Sequence, residues 1–295
     1  MLTVLFNVIF PVFCCVVIGY GWGRTRHEFP IAFVTKLVTN VGAPCLIVST
    51  INQSDLAWSD FVVLAQLSLA VLLGFLVLGY LAFRALKMEF RPLSLSVVFP
   101  NTGNMGLSLC LFAFGEEGLA AALIIFVVIS LVHFTCGDFI LQRGVALSQR
   151  LLNVLAQPIF IASIFAMLQV WIGFELATPV ALTTELIGAV TIPLMLFALG
   201  VSLASIHSSH WVKGLLIAVL RVPGGMLVAA AVIYLFNVEG VVAKALLLQS
   251  LMPSAVFNHF FALKYDSEVD AVASGVVIST VLAFLMLPPV LLYLL

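Results

Sequence analysis

Charge is what this sequence has least of. Of its 295 residues, 8% are charged and 63% hydrophobic, whereas a soluble domain is about 25% charged. So little charge cannot coat a water-facing surface, which excludes a soluble enzyme. Disorder is excluded as well, because disordered chains are poor in apolar residues. Cysteine is scarce: Cys14, Cys15, Cys45, Cys110 and Cys136 all fall inside apolar stretches, form no C-x-x-C pair and read as packing residues. There is no H-E-x-x-H, G-x-S-x-G or Walker A pattern. The chain is therefore read as no enzyme, without a cofactor and without direct use of ATP. The His and Cys spacings fit no zinc site, so no metal is expected. Basic residues are too few, and sit in links too short, for binding nucleic acid.

What the sequence does have is apolar length, with a mean hydropathy of +1.26. Ten stretches are long enough to span a bilayer as helices: 2–23, 31–51, 61–83, 93–114, 119–141, 153–173, 179–204, 211–236, 241–262 and 271–294. Unbroken runs such as Ala120 to Val132 oppose a membrane barrel, whose segments alternate. The first stretch lacks a basic leader and an A-x-A site, so it reads as a retained helix rather than a signal peptide.

The few charges orient these stretches. Eleven of the twelve Lys and Arg follow odd-numbered stretches: Arg24, Arg26, Lys36, Arg84, Lys87, Arg91, Arg143, Arg150, Lys213, Arg221 and Lys264. Only Lys244 falls on the other side, together with Asp55, Asp60, Glu116, Glu117, Glu175 and Glu239. The positive-inside rule then puts the basic links in the cytoplasm and both termini outside, in a bacterial inner or plasma membrane. Arg221, beside Pro223-Gly224-Gly225, is expected to snorkel to the inner surface.

The two halves share punctuation. Asn7-Val8 with Pro11 matches Asn153-Val154 with Pro158, Pro44 matches Pro193, and Pro100 matches Pro253, at offsets of 147, 149 and 153. Chance is the weaker account of three matches in order. Five stretches per half is odd, so the second half enters with opposite polarity. The expectation is an all-α membrane domain over 1–295, built as a 5+5 inverted repeat of about 1–142 and 153–295.

Interrupted segments in matching positions point to a transport site. The fourth stretch carries Pro100-Asn101-Thr102-Gly103-Asn104-Met105-Gly106, and the ninth carries Gln249 to Pro253 and then Asn258-His259. Pro100, Gly103, Gly106 and Pro253 would break or hinge the helices. If the broken helices cross, each half-helix N-terminus offers about half a positive charge and free N–H groups to an anion. The candidate substrate-binding residues are Asn101, Asn104 and Asn258, with Ser49, Asn52, His133 and Gln249 lining the site. His133 is also a proton-relay candidate, an interhelical hydrogen bond being the alternative. Asp138 lies off the face of His133 and reads as an interfacial group or pathway lining; His259, after the ninth-stretch break, is a second deep histidine whose role stays open. The alternative for both interruptions is a pair of proline kinks whose polar residues join helices.

These motifs resemble the auxin efflux carrier family, over essentially the whole chain. Pro100 to Gly106 looks like the family's fourth-span motif, Met252 to Val256 and Phe261 to Tyr265 its ninth span, Ala273 to Thr280 its tenth, and Ile192-Pro193-Leu194 with Gly200 its seventh. The resemblance implies a fold like that of bile-acid sodium symporters, with crossed broken helices moving against a scaffold in an elevator stroke. It also implies organic anions, typically carboxylates, as substrates. Asn101 would match the family's crossover Asn, and His133 a Tyr of plant members. Where those members carry Asp and Lys in the third span, this chain has Ala65 and Leu69; Asn258 replaces their second crossover proline, and their long central loop is missing. Auxin itself is thereby disfavoured. The expected partners are a small organic anion and the bilayer, with a homodimer left open. Rival readings are a sodium-coupled symporter and a sensor or structural subunit with a vestigial site. The topology predicts that alkaline phosphatase fused after Leu295 is active in cells, while a fluorescent protein fused there stays dark. The reverse pattern would overturn it.

Overall fold

In a computed structural model, residues 2–25, 27–53, 58–141, 155–205 and 210–295 are described, and their regular elements are all helical. They are α1 (Leu2–Arg24), α2 (Ile31–Gln53), α3 (Trp58–Ala85), α4 (Ser94–Val98), α5 (Leu107–Leu141), α6 (Pro158–Ile172), α7 (Thr178–Ala189), α8 (Thr191–Ser205), α9 (Trp211–Arg221), α10 (Pro223–Leu235), α11 (Gly240–Ser250), α12 (Val256–Tyr265) and α13 (Val269–Leu294). Arg26, Asp55, Arg143, Arg150 and Asn153-Val154 lie outside the described residues, as do the side chains of Cys136, Asp138 and Lys264.

Among the described residues, six helices are long and apolar enough to cross a membrane: Ile31–Gln53, Ser59–Ala85, Thr102–His133, Thr178–Ala204, Trp211–Leu235 and Val269–Leu294. Their outward faces carry large apolar side chains such as Leu73, Leu81, Leu186, Leu227 and Leu285, all more than half exposed. In water such a surface would aggregate; lipid accepts it. The buried core runs through both halves, from Val12 to Leu294, without a division into two clusters of similar size.

Proline and glycine set the local departures. Pro44 has no N–H to offer a carbonyl one turn back, and the chain just before it opens into a π turn, Val38–Gly42, inside α2. Between the fourth and fifth expected stretches, 93–114 and 119–141, the backbone leaves helical geometry at Gly115. A further interruption, inside the fourth stretch, falls at Phe99–Asn101, and α5, Leu107–Leu141, consists of two helical pieces joined at the Gly115 kink. Gly115 has φ 69°, ψ −158°, a non-helical conformation that glycine alone adopts at low cost, so one residue suffices to part the two pieces.

Helices α1 and α8 touch backbone to backbone. A Cβ on Gly19 would fall 2.2 Å from the Phe197 carbonyl oxygen, and one on Gly200 would fall 2.0 Å from that of Val16. Small residues let membrane helices approach this closely. Gly200→Val is therefore expected to abolish a monodisperse peak on size-exclusion chromatography in mild detergent. Gly21→Ala, whose Cβ meets nothing within 4 Å, should leave that peak unchanged.

Candidate functional site

The two proline-bearing interruptions meet. Helix α4 ends at Val98, Phe99 is extended at φ −103°, ψ 109°, and α11 ends at Ser250. Pro100 and Pro253 each lack the N–H that would have continued their helix. Pro100 and Ser254 form an isolated antiparallel bridge instead: the Asn101 N–H donates to the Pro253 carbonyl at 2.7 Å, and the Ala255 N–H to the Phe99 carbonyl at 3.1 Å. The Asn258 Nδ2 donates to the Phe99 carbonyl at 3.1 Å and to the Ser254 hydroxyl at 3.0 Å. The Ser254 N–H donates to the Ser279 hydroxyl at 3.0 Å. Each proline interrupts one helix, and the freed backbone groups pair with the other.

Beyond the bridge the chain re-enters helix through a π turn, Thr102–Gly106, closed by the Gly106 N–H donating to the Asn101 carbonyl at 3.3 Å. The first N–H groups of this restarted helix have no intrahelical acceptor. They open onto a cleft of about 860 Å³ lined by Asn101, Thr102, Gly103 and Asn104. Ser130 and His133 of α5 and Val256 and Phe257 of α12 line the same side, while Val34, Thr35 and Thr39 of α2, Ile159 of α6, and Met195 and Ser202 of α8 line the other. The Asn101 Nδ2 is buried without a hydrogen-bond partner, and the residue is 5% exposed. Thr35, Thr39, Ile159 and Phe257 also border a second cleft of about 440 Å³, completed by Asn40, Gln157 and Pro158.

The imidazole of His133 stacks on Phe99, centroids 4.2 Å apart and planes 9° apart, and lies 5.4 Å from the Phe261 ring. The Asn258 carboxamide is within side-chain hydrogen-bonding reach of it. An aromatic shelf and a polar neighbour thus hold the ring beside the bridge.

Among the candidates, Pro100, Asn101, Gly103, Asn104 and His133 line the large cleft together. Asn258 and Pro253 sit at the bridge, one step behind its surface. Gln249 is fully buried against Gly106, and both its carboxamide atoms are without a partner. Ser49 and Asn52 are not cleft residues. The Ser49 hydroxyl donates to the Leu46 carbonyl at 3.2 Å, and the Asn52 Oδ1 accepts from Gln169 Nε2 and from the Leu176 N–H. Their polarity is used between helices. His259 is half-buried on α12, on no wall of either cleft.

Arg221 corrects an expectation: it does not snorkel. Its side chain is 0% exposed. Its Nη1 donates to the Val97 and Val98 carbonyls at 2.9 and 3.3 Å, Nη2 to Ser250 at 2.6 Å, and Nε to Met252 at 3.2 Å. The guanidinium carbon lies 3.6 Å above the Phe75 ring. Gly225 makes the room, since a Cβ there would sit 2.6 Å from Nη2 and 2.3 Å from the Ser250 carbonyl oxygen. The sequence signal was the pairing of a membrane-embedded arginine with Pro223-Gly224-Gly225, a run that brings one backbone close to another.

Comparison with known proteins was decisive on the family. The profile of a family described as membrane transport protein matches residues 4–149 and 145–292. The chain belongs to this family of membrane transport proteins. It is 25% identical to an uncharacterized transporter of Methanocaldococcus jannaschii, over 95% of this chain and 96% of that one. It is also 25% identical to an uncharacterized transporter of Methanothermobacter thermautotrophicus, over 86% of each. Membrane transport proteins are generally carriers, not enzymes, and the polar atoms of this cleft are suited to holding a cargo.

The contact of Gln249 with Gly106 is a testable part of this transporter. A Cβ on Gly106 would fall 2.0 Å from the Gln249 Oε1. Gly106→Ala should lower stability by about 1–3 kcal/mol, the usual cost of overpacking. Adding Gln249→Ser should restore most of the loss in apparent melting temperature.

Proposed function

We propose that this protein is a secondary transporter of small organic anions, chiefly carboxylates, that works by alternating access. One observation carries this reading: two proline-broken segments, 153 residues apart in sequence, pair at the edge of a cleft that both line. There the N-terminal turn leading into α5 and the unpartnered Asn101 Nδ2 present donors without a lysine or arginine among the lining residues, a set that suits a carboxylate. Asn104 and His133 complete the polar end, and Asn258 positions both the Phe99 carbonyl and the His133 ring.

Several features support ten spans in a 5+5 inverted repeat of about 1–142 and 153–295. Helix α1 packs on α8 as α6 packs on α2, and α3 on α4 as α10 on α11, so exchanging the halves maps these pairs onto each other. The packing also favours two bundles, with α1, α2, α6, α7 and α8 in one and the remaining helices in the other. The cleft has walls from both. Sliding one bundle past the other would carry the bridge and its anion across the membrane, the elevator stroke the family resemblance implies. The second cleft continues toward Asn40 and Gln157, near the links expected in the cytoplasm, which suits an inward-open state.

Driving force would come from protons or membrane potential, with His133 the proton carrier. Neither interruption contains the carboxylates that a hard cation favours, which speaks against sodium coupling. The experiment is uptake of radiolabelled carboxylates into proteoliposomes. Asn101→Ala is expected to cut uptake at least about tenfold, the loss of one charge-assisted hydrogen bond. Replacing sodium by choline should change nothing, and His133→Gln should remove stimulation by an inward proton gradient. Full activity in Asn101→Ala would sink the site assignment.

A further inference from the structure

Arg221 lies outside the cleft, yet it is bonded to both halves of what the cleft is made from. Its partners are the carbonyls of Val97 and Val98, which close α4, and those of Ser250 and Met252, which close α11. A helix C-terminus carries about half a negative charge. Two such ends meet at one guanidinium, which donates to these four carbonyls and lies over the Phe75 ring. The Lys213–Glu268 ion pair lies elsewhere.

The consequence is electrostatic. Where two broken helices meet, negative C-terminal ends lie close to positive N-terminal ends, and left alone they would largely cancel. An arginine stays protonated in proteins, so its unit charge offsets the two negative ends. The positive ends at Thr102 and Val256 are left without a counter-charge, facing the cleft. The buried, unpartnered Nδ2 of Asn101 on the same wall is an independent sign that a ligand acceptor belongs there.

We propose that Arg221 is a specificity-determining residue: by neutralising the C-terminal ends of α4 and α11 it leaves the cleft with a net positive potential of about one charge, which selects a monoanion. This rests on the reading of the cleft as an anion site and adds the charge class of the cargo.

The test does not need the cargo. Asn104→Cys places a thiol on the cleft wall, half-buried. Its modification by anionic sulfonatoethyl and cationic trimethylammonium-ethyl methanethiosulfonates is followed in the purified, full-length protein by mass spectrometry of the peptide containing residue 104. The anionic-to-cationic rate ratio, normalised to a free thiol in solution, should exceed unity. Arg221→Gln in that background should lower the ratio by about tenfold, the scale of one charge acting in a low-dielectric site. Arg221→Lys, which keeps the charge but loses the fork of donors, should hold the ratio within about twofold while lowering the melting temperature. An unchanged ratio in Arg221→Gln would make Arg221 a structural tie alone and overturn the proposal. A ratio below unity in the Asn104→Cys protein with Arg221 intact would overturn it even if Arg221→Gln did not fold. A positive ratio in a protein that takes up no carboxylate would leave this inference standing and remove the carboxylate reading.

Discussion

Backbone groups released inside a bilayer have no water to turn to, and nearly everything distinctive here follows from that constraint. Two prolines interrupt two helices, and each interruption frees carbonyls and N–H groups that would cost several kcal/mol if left alone. The solution is mutual. The N–H groups beyond each break go to the other segment, the Phe99 carbonyl takes a second donor from Asn258, and the remaining carbonyls converge on Arg221. What is left over is a set of helix-end donors that face a cleft. The unsatisfied remainder of a structural problem becomes the place where a solute can be held.

Polar side chains are spent according to the same rule. The Gln169 Nε2 donates to the Asn52 Oδ1 between α6 and α2, and the hydroxyls of Ser49, Ser68, Ser163 and Thr280 fold back onto carbonyls of their own helices. Asn101 and Gln249 keep unpaired buried carboxamide atoms on either side of the π turn. One opens on the cleft and the other packs under Gly106, so the turn is bounded by polar capacity on both faces.

The positions of the two interruptions were legible because proline and glycine act locally: a missing N–H at Pro100 or Pro253 is a property of that residue whatever surrounds it. Membrane embedding was legible from composition for a similar reason. The fate of Asn52 was not, because its partner Gln169 stands 117 residues away and nothing near Asn52 announces it. Arg221 was misread for a deeper reason. A charge beside a helix end is ordinarily drawn to water, and only the convergence of carbonyls 29 to 124 residues distant makes the interior the better place for it. The break at Gly115, by contrast, was legible, because Gly115-Glu116-Glu117-Gly118 interrupts the apolar run and the backbone leaves helical geometry there.

The same arginine also has a history to negotiate during synthesis. An arginine at the middle of a lone helix costs roughly 2.5–3.5 kcal/mol at insertion. When Arg221 leaves the ribosome, Val97 and Val98 have long since been made, but Ser250 and Met252 are still 29 and 31 residues away. Half of its carbonyl partners exist and half do not. The region around α9 therefore cannot reach its final depth until α11 has been translated, so the last third of the chain is assembled as a unit rather than one helix at a time.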